Sequence, residues 1–450
     1  MLNELLTWVA LLVGLVFVLD KRRGCGALTL AYFMILSLGH VPGVLAYLES
    51  DPLFLVLGSA EWTKIGFDVT LIGMSAFIVG TIAARILPQL TMSVKAYQQS
   101  ISFQTFSRVA WRTFMIAAVA HFALFRVVAF VPSLTAIASA SGGLLILSAW
   151  FWLYLSVVAK NTQRTLLILA LLPLLPLFTL VTGGFIGFGT AWALTIVMFY
   201  FCIARRRFWF YVAAPAVVFL GLSLFVTYSQ QRDDIREVVW YQNAGALERL
   251  DQISKLVTDF QFLDLSNQLH LKALDTRLNQ NMLVGKAVML HREGVSELQY
   301  GATVPIWALI PRAVWPDKPG VAGSQDWVTR FTGISFAEGT SVGIGNVLEF
   351  YMNFGMPGVL AGFAVLGFIL MRLDQAVMRA LAMRNIPSAV QMSLPGVAML
   401  QPMGSVEEML VTLIAAIVAS QALIRLKLLA PTQRPTTKTS ARKTRAIGLR

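Results

Sequence analysis

The sequence predicts an all-α polytopic membrane protein with about eleven transmembrane helices and one large external loop. Three observations predict this fold class: a hydrophobic composition, long apolar runs, and basic residues on every second connection between these runs. Of 450 residues, 57% are hydrophobic and 13% are charged, and the mean hydropathy is +0.69. A helix needs roughly 20 apolar residues to cross the hydrocarbon. This composition excludes an ordinary soluble domain.

The first apolar run, residues 5–19, is predicted to be a retained helix. Its charges, Asp20 and Lys21 to Arg23, follow the run, whereas a signal peptide carries basic residues before it. Ten further runs have the length and hydropathy of membrane helices. They cover residues 27–48, 65–87, 109–131, 142–158, 165–181, 185–203, 208–227, 354–371, 388–402 and 409–424.

Basic residues between the runs predict the orientation of the chain. Lys and Arg accumulate in cytoplasmic loops. They occur here at residues 20–24, 85–112, 160–164, 205–207 and 372–384 and in the tail, which are alternate connections. We therefore expect an external N-terminus and a cytoplasmic C-terminus. This places Cys25 and Cys202 in the reducing cytosol, where no disulfide is expected.

The net charge of +13 follows from these loops, so nucleic acid is not expected as a partner. Residues 426–450 are predicted to be a basic, disordered cytoplasmic tail that faces lipid. The remaining organisation is a bundle of eight helices at 1–228, a large external loop at 229–353, and the last membrane helices at 354–425. Within the loop, residues 243–265 and 271–294 have amphipathic helical patterns and predict a lid on the bundle or the membrane surface.

Several common catalytic motifs are missing from the sequence. It contains no P-loop lysine motif, GxGxxG after a strand, HExxH or GxSxG. The external loop has no DxD pair, so neither a metal site nor a cofactor is expected.

A rigid, charged stretch, "IPRAVWPDKPG" at residues 310–320, lies late in the external loop. Its three prolines restrict the backbone on both sides of each ring. The fork of Arg312 suits a phosphate or diphosphate, and Trp315 offers a face to a sugar or to the membrane interface. The alternative is a turn that is stabilised by an ion pair between Asp317 and either Arg312 or Lys318.

A second polar stretch, "GNVLEFYMNFG" at residues 345–355, leads into a membrane helix. Helical spacing places Asn346, Glu349 and Asn353 on one face. A carboxylate at this depth usually has a partner or a role, although capping and packing would also explain the pattern.

Four further residues add charge on the external side. Arg126, in the outer third of the fourth helix, could pair with Asp68 or face an anionic headgroup. His291, one of four histidines, and its neighbour Arg292 lie in the loop, as does Arg330.

Between residues 300 and 363 the sequence resembles the oligosaccharide repeat-unit polymerases, the Wzy-like polymerases of O-antigen and exopolysaccharide. The resemblance lies in "IPRAVWPDKPG", in "GNVLEFYMNFGMPGVLAGF", and in a large loop late in a many-helix chain. One feature departs from the family. Many relatives have a Gly/Ser-Gly-x-Arg stretch in mid-chain, whereas residues 182–191, "TGGFIGFGTA", contain no arginine.

The resemblance implies a metal-independent glycosyltransferase of the bacterial inner membrane, with a fold like that of the GT-C-like, lipid-donor glycosyltransferases. Its substrates would be polyprenyl-diphosphate-linked oligosaccharides, and a chain-length regulator and a flippase would be its partners beside the lipid bilayer. Arg312 matches the signature arginine, and Glu349 or His291 would serve as the base. The predicted substrate-binding residues are Arg126, Arg292, Trp315, Lys318, Arg330, Asn346, Tyr351 and Asn353.

Two alternative functions stay open at the level of the sequence. An O-antigen ligase-like enzyme would share the topology, and the "PRxxWPxKP" pattern favours the polymerase. A transporter or flippase would show internal repeats and helices broken at the midplane. The sequence shows no convincing repeat.

Overall fold

The computed structural model describes residues 1–20, 26–48, 59–88, 102–128, 135–183, 186–204, 208–238, 248–249, 254–256, 258–300, 315, 325–336 and 343–429. Within these ranges the regular secondary structure is helical throughout, with no strand, so the predicted all-α class is confirmed. Nine helical stretches in the described part of the chain are long and apolar enough to cross a membrane. The protein is therefore a multi-pass membrane protein.

The described helices of eight residues or more number fifteen. They are α1 (Leu2–Asp20), α2 (Ala27–Leu45), α3 (Ser59–Ile86), α4 (Phe103–Val128), α5 (Thr135–Val158), α6 (Thr162–Ala170), α7 (Leu174–Gly183), α8 (Ile186–Ile203), α9 (Phe208–Arg236), α10 (Gln268–Leu278), α11 (Gln280–Arg292), α12 (Gln325–Thr332), α13 (Asn346–Ala382), α14 (Ile386–Ala398) and α15 (Val406–Arg425).

The predicted spans 109–131 and 388–402 are not among these nine apolar stretches of the described chain, and the span 165–181 is interrupted by a turn. The run at 388–402 is the 13-residue helix α14, about 20 Å long, which is shorter than the hydrocarbon by itself. The run at 165–181 is divided into α6 and α7 by a turn at residues 171–173. Pro173 lies in that turn, and its missing N–H removes a helical hydrogen bond.

Helix α2 lies at the centre of the bundle. Of its apolar window, 78% is buried, compared with 11% for α1. The ring of Tyr32 stacks on Phe77 of α3 at 5.2 Å. At the start of α2, the buried carboxylate of Asp374 accepts hydrogen bonds from the N–H groups of Leu28 and Thr29 and from the Thr29 hydroxyl. A side chain of α13 therefore caps α2.

Helix α13 reverses direction near its start. Gly355 has φ 64° and ψ −150°, a conformation that is almost confined to glycine. Phe350 and Phe363 would be about 20 Å apart along a straight helix, yet their rings are 5.4 Å apart and nearly perpendicular. Residues 346–354, called the arm below, therefore fold back along the part of α13 that follows Gly355.

Helices α10 and α11 form a hairpin, residues 268–292, that packs into the bundle. Helix α10 lies against α2, and α11 lies against α3. The contact with α3 is close, because a Cβ at Gly66 would meet the carbonyl oxygen of Asn281 at 1.9 Å, and one at Gly285 would meet that of Trp62 at 1.8 Å. The predicted helical pattern of 271–294 is confirmed, but the hairpin inserts against α2 and α3 instead of lying across them. In the stretch 243–265, residues 248–249, 254–256 and 258 are helical, whereas residues 259–265 are not, so the predicted helix is wrong for this end of the stretch. The other ten residues lie outside the described ones.

The single cysteine in the described ranges corrects one expectation. Cys202, at the end of α8, is disulfide-bonded, whereas the sequence predicted no disulfide. Disulfides are rare in the cytosol, and the basic residues predict that this end of α8 is cytoplasmic. The redox state of Cys202 in cells therefore reports the side of the membrane that it faces.

The predicted orientation and the disulfide of the structure give opposite expectations for Cys202 in growing cells. A reducing compartment would keep it a free thiol, whereas the disulfide requires it to be oxidised. Acid-quenched cells would be denatured and alkylated with a maleimide polymer that adds mass to each thiol. A shift by two adducts, one for each cysteine of the chain, agrees with the predicted orientation. A shift that appears only after treatment with a reductant would reverse it.

We also expect Gly285→Ala to destabilise the protein by about 1–3 kcal/mol, the usual cost of over-packing, because the added methyl group meets the backbone of Trp62. Thermal unfolding of the purified protein in detergent measures the change. Gly221→Ala in α9 is the control, since no atom lies within 4 Å of its added Cβ. Equal melting temperatures for the two variants would argue against the close α3–α11 contact.

Candidate functional site

Three segments of chain meet beside α2 and bring buried polar residues together. They are the apex of the hairpin, the turn before the arm, and the link between α14 and α15. Gln280 joins them, since its Nε2 donates to the carbonyl oxygens of Gly343 and Met403, each at 3.3 Å. We call the side chains at this meeting point the polar centre: Tyr32, His40, Gln280, Asn281, Asn346 and Glu349.

On the hairpin side, His40 and Asn281 are joined by two hydrogen bonds. The Nδ1 of His40 is 2.6 Å from the Oδ1 of Asn281, and the Nδ2 of Asn281 donates to the His40 carbonyl at 2.7 Å. Because Asn281 Oδ1 can only accept, Nδ1 of His40 carries the proton. The other ring nitrogen of neutral His40, Nε2, is then an acceptor.

On the arm side, Asn346 is bonded to α2 and to the link. Its Oδ1 accepts from the hydroxyl of Tyr32 at 2.8 Å, and its backbone N–H donates to the Pro402 carbonyl at 2.9 Å. Gly345 precedes it with φ 73°, and a Cβ there would come within 2.5 Å of Gln280 Oε1. Only glycine therefore fits the entry to the arm.

Glu349 connects the arm to the start of α15. It is 3% exposed, and its Oε2 accepts the N–H of Val406 at 2.6 Å. Ser405 and Glu408 form a capping box in the same turn of α15. The positive end of the helix dipole favours a carboxylate at this place. Glu349 thus acts as a second cap on α15 from a distant part of the chain.

Three side-chain atoms of the polar centre are buried and have no hydrogen-bond partner among the described residues. They are His40 Nε2, Gln280 Oε1 and Asn346 Nδ2. Buried polar groups are nearly always hydrogen-bonded, so these atoms suit a bound ligand or water. His40 Nε2 and Gln280 Oε1 are acceptors and Asn346 Nδ2 is a donor. A hydroxyl group, which donates and accepts, can satisfy each of them.

The predicted residues His291, Tyr351 and Asn353 lie together near the Gly355 end of the arm. The ring of His291 is 6.1 Å from the ring of Tyr351. Asn353 Nδ2 donates to the Glu349 carbonyl at 2.8 Å, and its own carbonyl accepts the N–H of Tyr300. Backbone hydrogen bonds therefore hold Gln299 and Tyr300 against the arm.

Two of the predicted cations lie close to this group. Arg292 is exposed at the end of α11, near enough to Tyr351 for its charge to act on the hydroxyl. Arg330 is exposed on α12, which packs against α11, and its guanidinium lies over the rings of Trp327 and Phe331 at 5.7 and 5.8 Å.

Four predicted residues contribute less to the described site. Trp315 is half-buried. Arg312 and Lys318 lie outside the described residues, as does the side chain of Arg126.

Sequence reasoning missed four members of the polar centre: Tyr32, His40, Gln280 and Asn281. A signal for His40 existed, because it is one of four histidines and lies inside an apolar run. The run "NQN" at 279–281 interrupts an amphipathic pattern and was a weaker signal. Nothing in the sequence indicated that these residues meet the arm.

Comparison with family models gives no match, and neither the curated proteins nor the solved structures give one. The described residues also contain no group of three or more His, Cys, Asp or Glu side chains that could hold a metal ion. The chemistry of this chain is therefore argued from its own residues.

We expect Glu349→Leu to lower the melting temperature of the purified protein and Glu349→Gln to change it little. Leucine leaves the N–H of Val406 without its acceptor, which costs roughly 1–3 kcal/mol for a buried donor, whereas the glutamine amide oxygen can still accept it. Thermal unfolding in detergent measures the difference.

The matched controls are Glu61→Leu and Glu61→Gln, because Glu61 is acidic, helical and exposed. Glu349→Leu and Glu349→Gln variants of equal stability would show that the bond to Val406 does not hold the arm.

Proposed function

We propose that the protein polymerises polyprenyl-diphosphate-linked oligosaccharide repeat units into surface polysaccharide on the periplasmic face of the bacterial inner membrane. The observation that carries this proposal is the arm. It consists of the second stretch of the resemblance, and it buries Asn346 and Glu349 inside the bundle. The segment that contains Arg312 is connected to the arm at both ends. The N–H of Tyr300 donates to the carbonyl of Asn353, and Gly345 leads directly into Asn346.

The proposed reaction needs a nucleophile, a base and cations. A hydroxyl oxygen of the acceptor repeat unit attacks the anomeric carbon of the growing chain, and the bond from that carbon to the diphosphate breaks. The hydroxyl proton passes to a base, and polyprenyl diphosphate leaves with the bonding electron pair. Fixed cations stabilise the charge that develops on the leaving group.

The polar centre supports a role in holding sugar hydroxyls. Its unpartnered atoms, on His40, Gln280 and Asn346, combine acceptors with a donor and carry no formal charge when His40 is neutral. An uncharged ligand rich in hydroxyls satisfies such a set better than an ion does. The polar centre would therefore hold a sugar, and the diphosphate would lie elsewhere.

The described geometry favours His291 over Glu349 as the base. His291 Nδ1 donates to the carbonyl of Ser296 at 3.0 Å, which leaves Nε2 of the neutral ring as a proton acceptor on a half-buried side chain. Glu349 is almost fully buried, and one of its oxygens is bonded to Val406. We assign Glu349 to positioning the arm.

Two of the cations predicted for the diphosphate, Arg292 and Arg330, belong to the neighbourhood of His291. Arg292 follows His291 on α11, and α12 brings Arg330 to the same helix. Arg312 and Lys318 belong to the segment of sequence that follows Tyr300. The N–H of Tyr300 donates to the carbonyl of Asn353 in the arm. The guanidinium groups would bind the diphosphate in bidentate fashion.

One observation favours transport of the same lipid-linked substrate as a second candidate function. The arm and the turn between α10 and α11 are two places where helices are interrupted, and both lie beside buried parts of the bundle. Transporters commonly bind their substrates where helices are interrupted. A transporter would move the substrate without changing its bonds.

We expect proteoliposomes of the wild-type protein to convert lipid-linked repeat units, extracted from a strain that lacks the gene, into a ladder of longer lipid-linked chains. His291→Gln should lower the rate by about 10²–10⁴-fold, the usual contribution of a general base. Arg312→Ala should also lower it, with partial recovery in Arg312→Lys. Gel electrophoresis of the polymer measures the product.

Arg164→Ala is the control, since Arg164 lies on a predicted cytoplasmic connection over the ring of Trp152. Transfer of finished chains onto a different lipid would indicate a ligase instead. Movement of intact substrate across the membrane without any ladder would indicate a transporter. Full polymerisation by His291→Gln would remove His291 from the site.

A further inference from the structure

A cavity lies between α4 and the turn that ends α15. Both helices pack against α5, and the space between them has a volume of about 330 Å³. It is far from the polar centre, because Lys427 is 22 residues beyond Ser405, or about 33 Å along a helix. Its lining consists of Trp111, Arg112, Met115, Ile116, Lys427 and Leu428.

The cavity faces the side of α4 that lipid would cover. Val109, Ala110, Thr113 and Ala117 form the buried stripe of α4, and the opposite side is apolar and exposed. On that side, the rings of Trp111 and Phe114 stack at 5.5 Å. An exposed apolar face is ordinary in a membrane protein, so this face by itself indicates only contact with acyl chains.

The two cations in the cavity, Arg112 and Lys427, are the informative feature. Two cations that line one cavity can bind the oxygens of one phosphate group together. Lys427 is held by the helix end and not by the tail: its φ is 55°, its N–H bonds the Ile424 carbonyl, and the next N–H bonds the Leu423 carbonyl. This is the hydrogen-bond pattern of a helix C-cap, so the backbone at Lys427 has a defined position.

We propose that this cavity binds one anionic phospholipid. Arg112 and Lys427 bind the oxygens of its phosphodiester, and an acyl chain lies along Trp111, Met115 and Ile116. The phosphate of a lipid headgroup fits the fork of the guanidinium group. The apolar walls of the cavity suit an acyl chain, which a phospholipid has and free phosphate lacks. Basic pockets between membrane helices are known sites for anionic headgroups.

The sequence beyond the cavity has the same charge preference. Residues 430–450 follow Leu429 directly and contain six Lys or Arg and no acidic residue. Juxtamembrane basic segments are attracted to the anionic lipids of the cytoplasmic leaflet. The predicted orientation places the cavity and the tail on that side, so the tail would raise the local concentration of the lipid that the cavity binds.

The test uses the full-length purified protein, delipidated in detergent. Phosphatidylglycerol and phosphatidylcholine with the same acyl chains are titrated, and lipid binding is followed by native mass spectrometry. We expect tighter binding of phosphatidylglycerol, and a loss of at least tenfold in that affinity in the double variant Arg112→Gln with Lys427→Gln. The control is Arg108→Gln with Arg425→Gln, which removes equal charge from exposed positions on the same helices.

Three results would overturn the proposal. They are equal affinity of the wild-type protein for the two lipids, an equal loss in the control variant, and release of bound lipid by inorganic phosphate. If the double variant fails to fold, photoactivatable phosphatidylglycerol is crosslinked to the wild-type protein. Adducts within residues 111–116 support the site, and adducts confined to the tail contradict it.

Discussion

The structure depends on one constraint: backbone N–H and C=O groups inside a membrane bundle need partners from the protein itself. Helices that start within the bundle expose such groups. Asp374 satisfies the start of α2, and Glu349 satisfies the start of α15, although both carboxylates belong to α13. Gln280 does the same for the carbonyls of Gly343 and Met403. These contacts hold distant segments at defined depths.

The same contacts create the polar centre. Once the hairpin, the arm and the link have met beside α2, their side chains are buried together. Some of their hydrogen-bonding atoms then have no partner in the described part of the chain. Two kinds of glycine make the meeting feasible. Gly66 and Gly285 let the backbones of α3 and α11 approach closely, and Gly355 lets the arm reverse. The polar centre is thus a by-product of how the bundle satisfies its own backbone.

Part of the candidate site follows from local spacing. Asn346, Glu349 and Asn353 were predicted on one helical face, and all three are buried. The contact of His40 with Asn281 joins residues 241 positions apart, and that of Tyr32 with Asn346 joins residues 314 apart. No periodicity can indicate such pairs. The functions proposed for Arg312 and His291 stay predictions, since they depend on the resemblance and on chemistry.

The sequence by itself determined the class of the protein, because hydropathy and helical periodicity are local properties of the chain. It also determined most of the membrane helices and the helical character of α10 and α11. Only the tertiary structure decided that α14 is short, that the hairpin inserts against α2 and α3, and that α13 reverses at Gly355. A reversal depends on one backbone conformation and on partners far along the chain. The depth of Glu349 and the composition of the polar centre follow from it.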